Sequence, residues 1–294
     1  MNDQTGPRTS LGLVEVNLRE TVRYLSQEIG PRSYLDVRKL TEAADYIEAR
    51  FRSSGCRTAR QPFTLHGDTY YNVIAERGGP GDGILVIGAH YDTVVGTPGA
   101  DDNASGVAGL LELARLSSEN PSQRVVRYVA FSLEEPPAYM TSRMGSFVYA
   151  KSLSDGGVKV YGMISLEMLG YFSDRPGSQY YPSSLFKLFY PGRGDFIAFV
   201  GNLSSRPFTR KVKDAFKSAS TLPVQSLNTF SLVPGVDFSD HRSFWKFGYP
   251  AFMVTDTAFY RNPHYHTRSD APEILDYGRM AELVTGLHKA LRDI

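Results

Sequence analysis

HYDTVVGTPGADDNASG, residues His90 to Gly106, is the stretch that decides the fold of this 294-residue chain. It follows the apolar run GILVIGA (Gly83 to Ala89), whose unbroken hydrophobicity predicts a strand buried on both faces of a sheet. It precedes VAGLLELARL, from Val107, where apolar residues recur at helical spacing. A polar loop holding a histidine and three acids therefore closes a strand and opens a helix. In open α/β sheets ligands bind beyond the C-terminal ends of strands, so His90, Asp92, Asp101 and Asp102 stand where chemistry is done.

The alternation continues outward from this loop. RVVRYVAFSL (Arg124 to Leu133) reads as a strand that delivers Glu134 and Glu135 to the same edge, Met140 to Ser154 as a helix, and VKVYGMISLEM as a strand with Glu167 near its end. Tyr171 to Gly194 is rich in Pro, Gly, Ser and aromatics without periodicity, and reads as an insertion at the rim of the site. DFIAFVGN is then a strand, RPFTRKVKDAFKSAS a helix with a solvated basic face, and LPVQSL a strand. SDHRSFWKFG is a short helix capped by Ser239, PAFMVTD a strand, and DYGRMAELVTGLHKALRDI the closing helix. Upstream, helices are predicted from Leu13 to Ile29 and from Tyr34 to Ser53, and strands over Arg57 to Leu65 and Tyr70 to Glu76. The fold class expected is α/β: a single-domain, three-layer αβα arrangement around a twisted mixed, mostly parallel sheet. Residues 1–10 form a loose tail, residues 11–294 the domain, and 171–194 its insertion.

Hydrophobic residues make up 41% of the chain and charged residues 21%, which excludes a largely disordered or coiled-coil protein. Lys+Arg 32 against Asp+Glu 31 creates no global field for nucleic acid or an anionic membrane, so neither is an expected partner. Cys56 stands alone and reads as a half-buried spectator. The start MNDQTGPRTS lacks the apolar core of a signal peptide, and no run approaches the ~18 apolar residues of a membrane helix, so a cytoplasmic protein is expected.

His90, Asp102, Glu134, Glu135, Glu167 and His266 together offer only imidazole and carboxylate donors. Zinc accepts that set, and a paired site needs one carboxylate shared between two ions, for which Asp102 is the natural candidate. Glu134 and Glu135 follow an apolar strand and precede two prolines, where charge is costly to bury without a metal or partner. One of the two can ligate while the other acts as base. His66 and His288 read as surface or hydrogen-bonded groups, and His241 as either a pocket group or a hydrogen-bonded one.

Five motifs in order, HYDT with PGADDNASG, FSLEE followed by MGS, ISLEMLGY, DFSDHRSFW and FYRNPHYHTRSD, give the chain from about Val73 onward its resemblance to the M28 family of zinc aminopeptidases. The resemblance implies a zinc-exopeptidase fold and a peptide substrate. It also implies two Zn2+ ions, one bound by His90 and Glu167, the other by Glu135 and His266, with Asp102 bridging. Glu134 becomes the general base toward a metal-activated water, Asp92 the acid that orients His90, and Tyr265 the stabiliser of the oxyanion. A cis peptide is implied at Asp102-Asn103, and Asp101 is implied to make no bond to metal. The chain departs from many relatives in having Glu at 167 where they have Asp, a longer PPAYMTSRM segment, and His241 and His264 as further imidazoles near the expected centre. Two competing readings share the fold: a one-zinc glutaminyl cyclase, for which Tyr265 replaces the usual tryptophan, and a non-catalytic binding homologue, which has no need of Glu134.

Overall fold

In the computed structural model, which describes residues 10–119, 121–292 and 294, the first apolar-periodic stretch is helical in two parts. The helix α1 (Ser10–Arg23) continues into one wider turn, Tyr24–Ile29, closed by Gly30 at φ 76°. The expected loose tail falls on residues 1–9, outside those described, and on Ser10, which already belongs to α1. The second helix, α2 (Val37–Ser53), starts later than its apolar spacing from Tyr34 suggests because Asp36 caps it, accepting the Lys39 amide at 3.1 Å.

The remaining elements follow as β1 (Arg57–Leu65), β2 (Asp68–Arg77), β3 (Ile84–His90), α3 (Gly106–Glu119), β4 (Val126–Phe131), α4 (Gly145–Asp155) and β5 (Val160–Glu167). After the 171–194 segment come β6 (Ile197–Gly201), α5 (Arg206–Ala219), β7 (Val224–Asn228), α6 (His241–Trp245), β8 (Ala251–Thr255) and α7 (Tyr277–Arg292). Among the described residues the strands form one eight-stranded sheet ordered β1-β2-β4-β3-β5-β8-β6-β7. The pairings β3/β4, β3/β5 and β5/β8 are parallel, so four central strands end at one edge, with His90 opposite Phe131 and Glu167 opposite Thr255. The β1 and β2 hairpin is antiparallel, and β6 and β7 run against β8.

β3 is buried at every position, as its unbroken apolar sequence requires in a sheet covered on both faces. One face packs α1, α2, α3, α5 and α7 around residues such as Ile87, Phe199 and Phe252; the other packs α4 and α6 around Val86, Phe131 and Phe244. Phe196, Ala198, Val200 and Met253 form a separate apolar floor beyond α6. Cys56 is fully in the core, 8% exposed, where a half-buried position was expected. The basic face of α5 lies at the surface, although Lys213 reaches Ser226 Oγ at 2.7 Å and Lys211 the Tyr161 hydroxyl at 2.8 Å. No helix among the described residues is long and apolar enough to cross a membrane.

Two local expectations are corrected. The helix read from Met140 starts at Gly145: Met140 has φ 60°, and the Gly145 amide bonds to the Ser132 carbonyl at 2.9 Å, docking the helix start against β4. Ser239 does not cap α6. Asp240 takes the cap position without a side-chain hydrogen bond, and Ser239 Oγ donates instead to Glu167 Oε2 at 2.7 Å.

Candidate metal centre

The site grows from the parallel strand ends. β3 terminates on His90 and β5 on Glu167, and the loop after β3 returns across both before α3 begins. That return is tight. Gly99 sits at φ 63°, and a Cβ on Gly106 would strike the Asn103 side chain and the Leu166 carbonyl, so both positions need glycine. The Asp102-Asn103 peptide is cis. Asn103 Nδ2 donates to the Leu166 carbonyl at 2.9 Å while its oxygen accepts the Gly106 and Met168 amides, which ties the loop to β5.

Two buried carboxylates hold the backbone that carries the donors. Asp92 accepts the Glu134 and Glu135 amides, each at 3.0 Å, and lies 3.5 Å from His90 Nδ1. Asp270 accepts the Asp101 and Asp102 amides at 2.8 and 3.1 Å. Glu134 and Glu135 stand beyond β4, which ends at Phe131, and the Asp92 clasp fixes the turn they occupy.

Two donor sets result, His90 with Asp102 and Glu167, and Asp102 with Glu135 and His266, the ligating atoms of each lying within 4.8 Å of one another. His90 Nε2 is 3.4 Å from both Asp102 Oδ1 and Glu167 Oε2. His266 Nε2 is 3.0 Å from Asp102 Oδ2 and 3.4 Å from Glu135 Oε1. Asp102 thus offers a different oxygen to each set. Glu134 is buried beside them.

Burial opposes charge on His90, His266, Glu134, Glu135 and Asp102. For His90 the carboxylates of Glu167, Asp102 and Asp92 outweigh it and raise the imidazole well above its ordinary pKa. For His266, Asp102 and Glu135 do the same, to about 10. Glu134 is pushed well up by burial, with Glu135 and Glu167 adding to it against His90, and Glu135 is pushed up to about 7 by burial and Asp102. Asp102 moves down, its burial being outweighed by hydrogen bonds from His266 and His90. The centre is a well of negative potential whose imidazoles hold protons that a divalent cation would replace.

Other predicted residues fall outside both sets. Asp101 turns away, accepting the Gly170 amide at 2.9 Å and Asn262 Nδ2 at 2.7 Å. His264, a further imidazole expected near the centre, belongs to neither donor set: its Nδ1 pairs with Ser269 Oγ at 2.9 Å and its ring packs on Tyr171. His241 is a hydrogen-bonded core residue, with Nε2 on the Val236 carbonyl at 2.8 Å. Tyr265 stacks on His266 with centroids 3.7 Å apart, and burial together with Asp102 and the three glutamates raises its pKa, so the hydroxyl keeps its proton. Beside Glu167 and Tyr265 opens an apolar pocket, continuous with solvent, lined by residues including Tyr181, Phe186, Phe196, Val236 and Met253.

Sequence reasoning missed Asp270 and Arg32. Asp270 had a signal, since it lies just past His266 in HTRSD. Arg32 had none: it is completely buried and donates to the carbonyls of Leu25, Gly30, Tyr91, Pro98 and Gly99, partners visible only in the folded chain.

The model of peptidase family M28 matches residues 72–290. The uncharacterized protein YfbL of Escherichia coli (strain K12) is 47% identical over 279 residues, covering 92% of this chain and 85% of that protein. Leucine aminopeptidase 1 of Fusarium vanettenii is 26% identical over 226 residues, covering 72% of this chain and 52% of that protein. In fold, the chain is similar to the glutaminyl cyclase of Fimbriiglobus ruber, with a TM-score of 0.74 at 19% identity over 99% of this chain and 97% of that one.

Proposed function

The chain belongs to peptidase family M28, and from that membership we propose that it is a two-zinc aminopeptidase, a metallopeptidase releasing N-terminal residues from peptides. The observation that carries the reading is the donor geometry. Imidazole-to-carboxylate separations of 3.0 to 3.4 Å, with Asp102 shared through two different oxygens, fit the ~3.3 Å edge of a tetrahedron whose donors would lie ~2.0 Å from zinc. His90, Glu167 and Asp102 would hold one ion; Glu135, His266 and Asp102 the other. Bound there, zinc supplies Lewis acidity toward the attacking water and the scissile carbonyl.

The chain's own groups do the rest. Glu134, whose burial keeps its proton affinity high, takes a proton from the attacking water at its carboxylate and returns it to the leaving amine. Asp92 keeps His90 oriented and fixes the backbone of both glutamates. The Tyr265 hydroxyl donates to the carbonyl oxygen as it gains charge. The apolar pocket receives a hydrophobic side chain of the substrate, residues 11–294 act as one peptidase domain, and 171–194 forms the pocket rim. The sequence relative named leucine aminopeptidase supports the direction of cleavage. The cyclase likeness is one of fold, and a one-zinc cyclase has no use for the complete second donor set.

Aminoacyl arylamides, dipeptides and N-blocked peptides tested with zinc restored decide the matter. Hydrolysis of free N-termini and none of blocked ones is expected; no hydrolysis throughout, with cyclisation of N-terminal glutamine, would overturn the reading.

A further inference from the structure

Arg261 carries a buried charge that the chemistry above leaves unused. It is 4% exposed and meets the 171–194 segment at three points. Nε donates to Gln179 Oε1 at 2.9 Å, one terminal nitrogen donates to the Tyr171 carbonyl at 3.3 Å, and the stem lies against Gly194, where an added Cβ would come within 2.7 Å of Arg261 Cδ. The guanidinium carbon also lies 4.6 Å from the centroid of Phe196. The start, middle and end of the segment therefore converge on one side chain.

That segment has no α-helix or strand of its own: it holds a short helical turn at Ser184–Leu188, a turn closed by the Ser178 amide on the Arg175 carbonyl, an isolated bridge between Ser173 and Gly194, and the Gln179 amide on the Gly192 carbonyl at 3.3 Å. A segment outside the helices and strands of the fold depends on side-chain ties as well as its own turns for its placement. Gln179 and Phe196 line the apolar pocket, whereas Arg261 stands behind them. Asp256 acts on the buried guanidinium electrostatically, from a carboxylate fixed by the Tyr171 and Ala258 amides at 2.8 Å each, while Nη2 of Arg261 has no hydrogen-bond partner among the described residues. The next residue, Asn262, turns the opposite way, onto Asp101 of the metal loop. Adjacent residues of one loop thus serve the pocket and the centre separately.

We propose that Arg261 is a positioning residue for substrate selectivity: it fixes the 171–194 segment as a wall of the apolar pocket and so sets the preference for large apolar side chains. This rests on the aminopeptidase reading of the site. The test compares wild type, Arg261→Gln and Gly194→Ala, all zinc-loaded, on leucyl and alanyl arylamides, with limited proteolysis followed in parallel. Arg261→Gln is expected to lower kcat/KM for the leucyl substrate by about tenfold, mainly through KM, and for the alanyl substrate by less than about threefold. Zinc content stays the same, and cleavage within 171–194 accelerates by about tenfold or more. Gly194→Ala, which crowds Arg261 from outside the pocket, shifts selectivity the same way and decides the question if Arg261→Gln does not fold. Equal losses on both substrates, or selectivity unchanged in a folded variant, overturn the proposal. A wild type inactive on both substrates removes the aminopeptidase reading and the selectivity role with it, while proteolysis still shows whether Arg261 holds the segment.

Discussion

Asp92 and Asp270 act alike on opposite sides of the centre, each accepting two consecutive backbone amides, those of Glu134 and Glu135 and those of Asp101 and Asp102. A carboxylate bound this way fixes two peptide planes at once, and with them the directions in which the donors leave the backbone. Asp92→Ala and Asp270→Ala should each lower zinc affinity and turnover by about 10- to 100-fold, measured by competition with a chelator; zinc affinity unchanged in both would contradict the clasp. Glu134→Gln should separate chemistry from binding, lowering kcat by about 10²- to 10⁴-fold with zinc content unaltered, and wild-type turnover would remove Glu134 as the base. That the residues of the two candidate sets would come together was legible in sequence, because each ends a strand or sits in a recognisable loop. Arg32 was not, because its five acceptors are backbone carbonyls from three separate stretches of chain.

At the scale of elements, apolar periodicity located helices and strands well but not their starts. Asp36 and Gly145 set those by local bonds, a side-chain cap in one case and a docking contact with β4 in the other. The loop leading into α6 shows the same limit: SDHRSFW left His241 open between two roles, and only the fold puts its Nε2 on the Val236 carbonyl. Burial lowers the His241 pKa from 6.5 to about 4. The unfolded chain therefore binds a proton that the folded chain refuses, so the contribution is fully present above pH 6.5 and is lost as the pH falls toward 4. It amounts to at most ~3 kcal/mol. His241→Gln should flatten the fall in unfolding free energy across that window, followed by urea titration at several pH values. A fall as steep as in wild type would contradict a neutral, buried imidazole.

Across the whole molecule, the near balance of 32 basic and 31 acidic residues conceals a concentration of buried acids at one sheet edge. Composition shows no net field of either sign, but it could not show that concentration, which arises from the parallel alignment of β3, β4, β5 and β8. A cation bound there would stabilise the folded chain by mass action, and on the proposed two-zinc reading bound metal and activity should rise together. The most direct measurement is a zinc titration of chelator-treated protein in which bound metal and release of the N-terminal residue from a leucyl peptide are followed together. Two ions per chain, with hydrolysis returning as the sites fill, is the predicted result. One ion per chain, with pyroglutamate formed from N-terminal glutamine and no peptide hydrolysed, would contradict it.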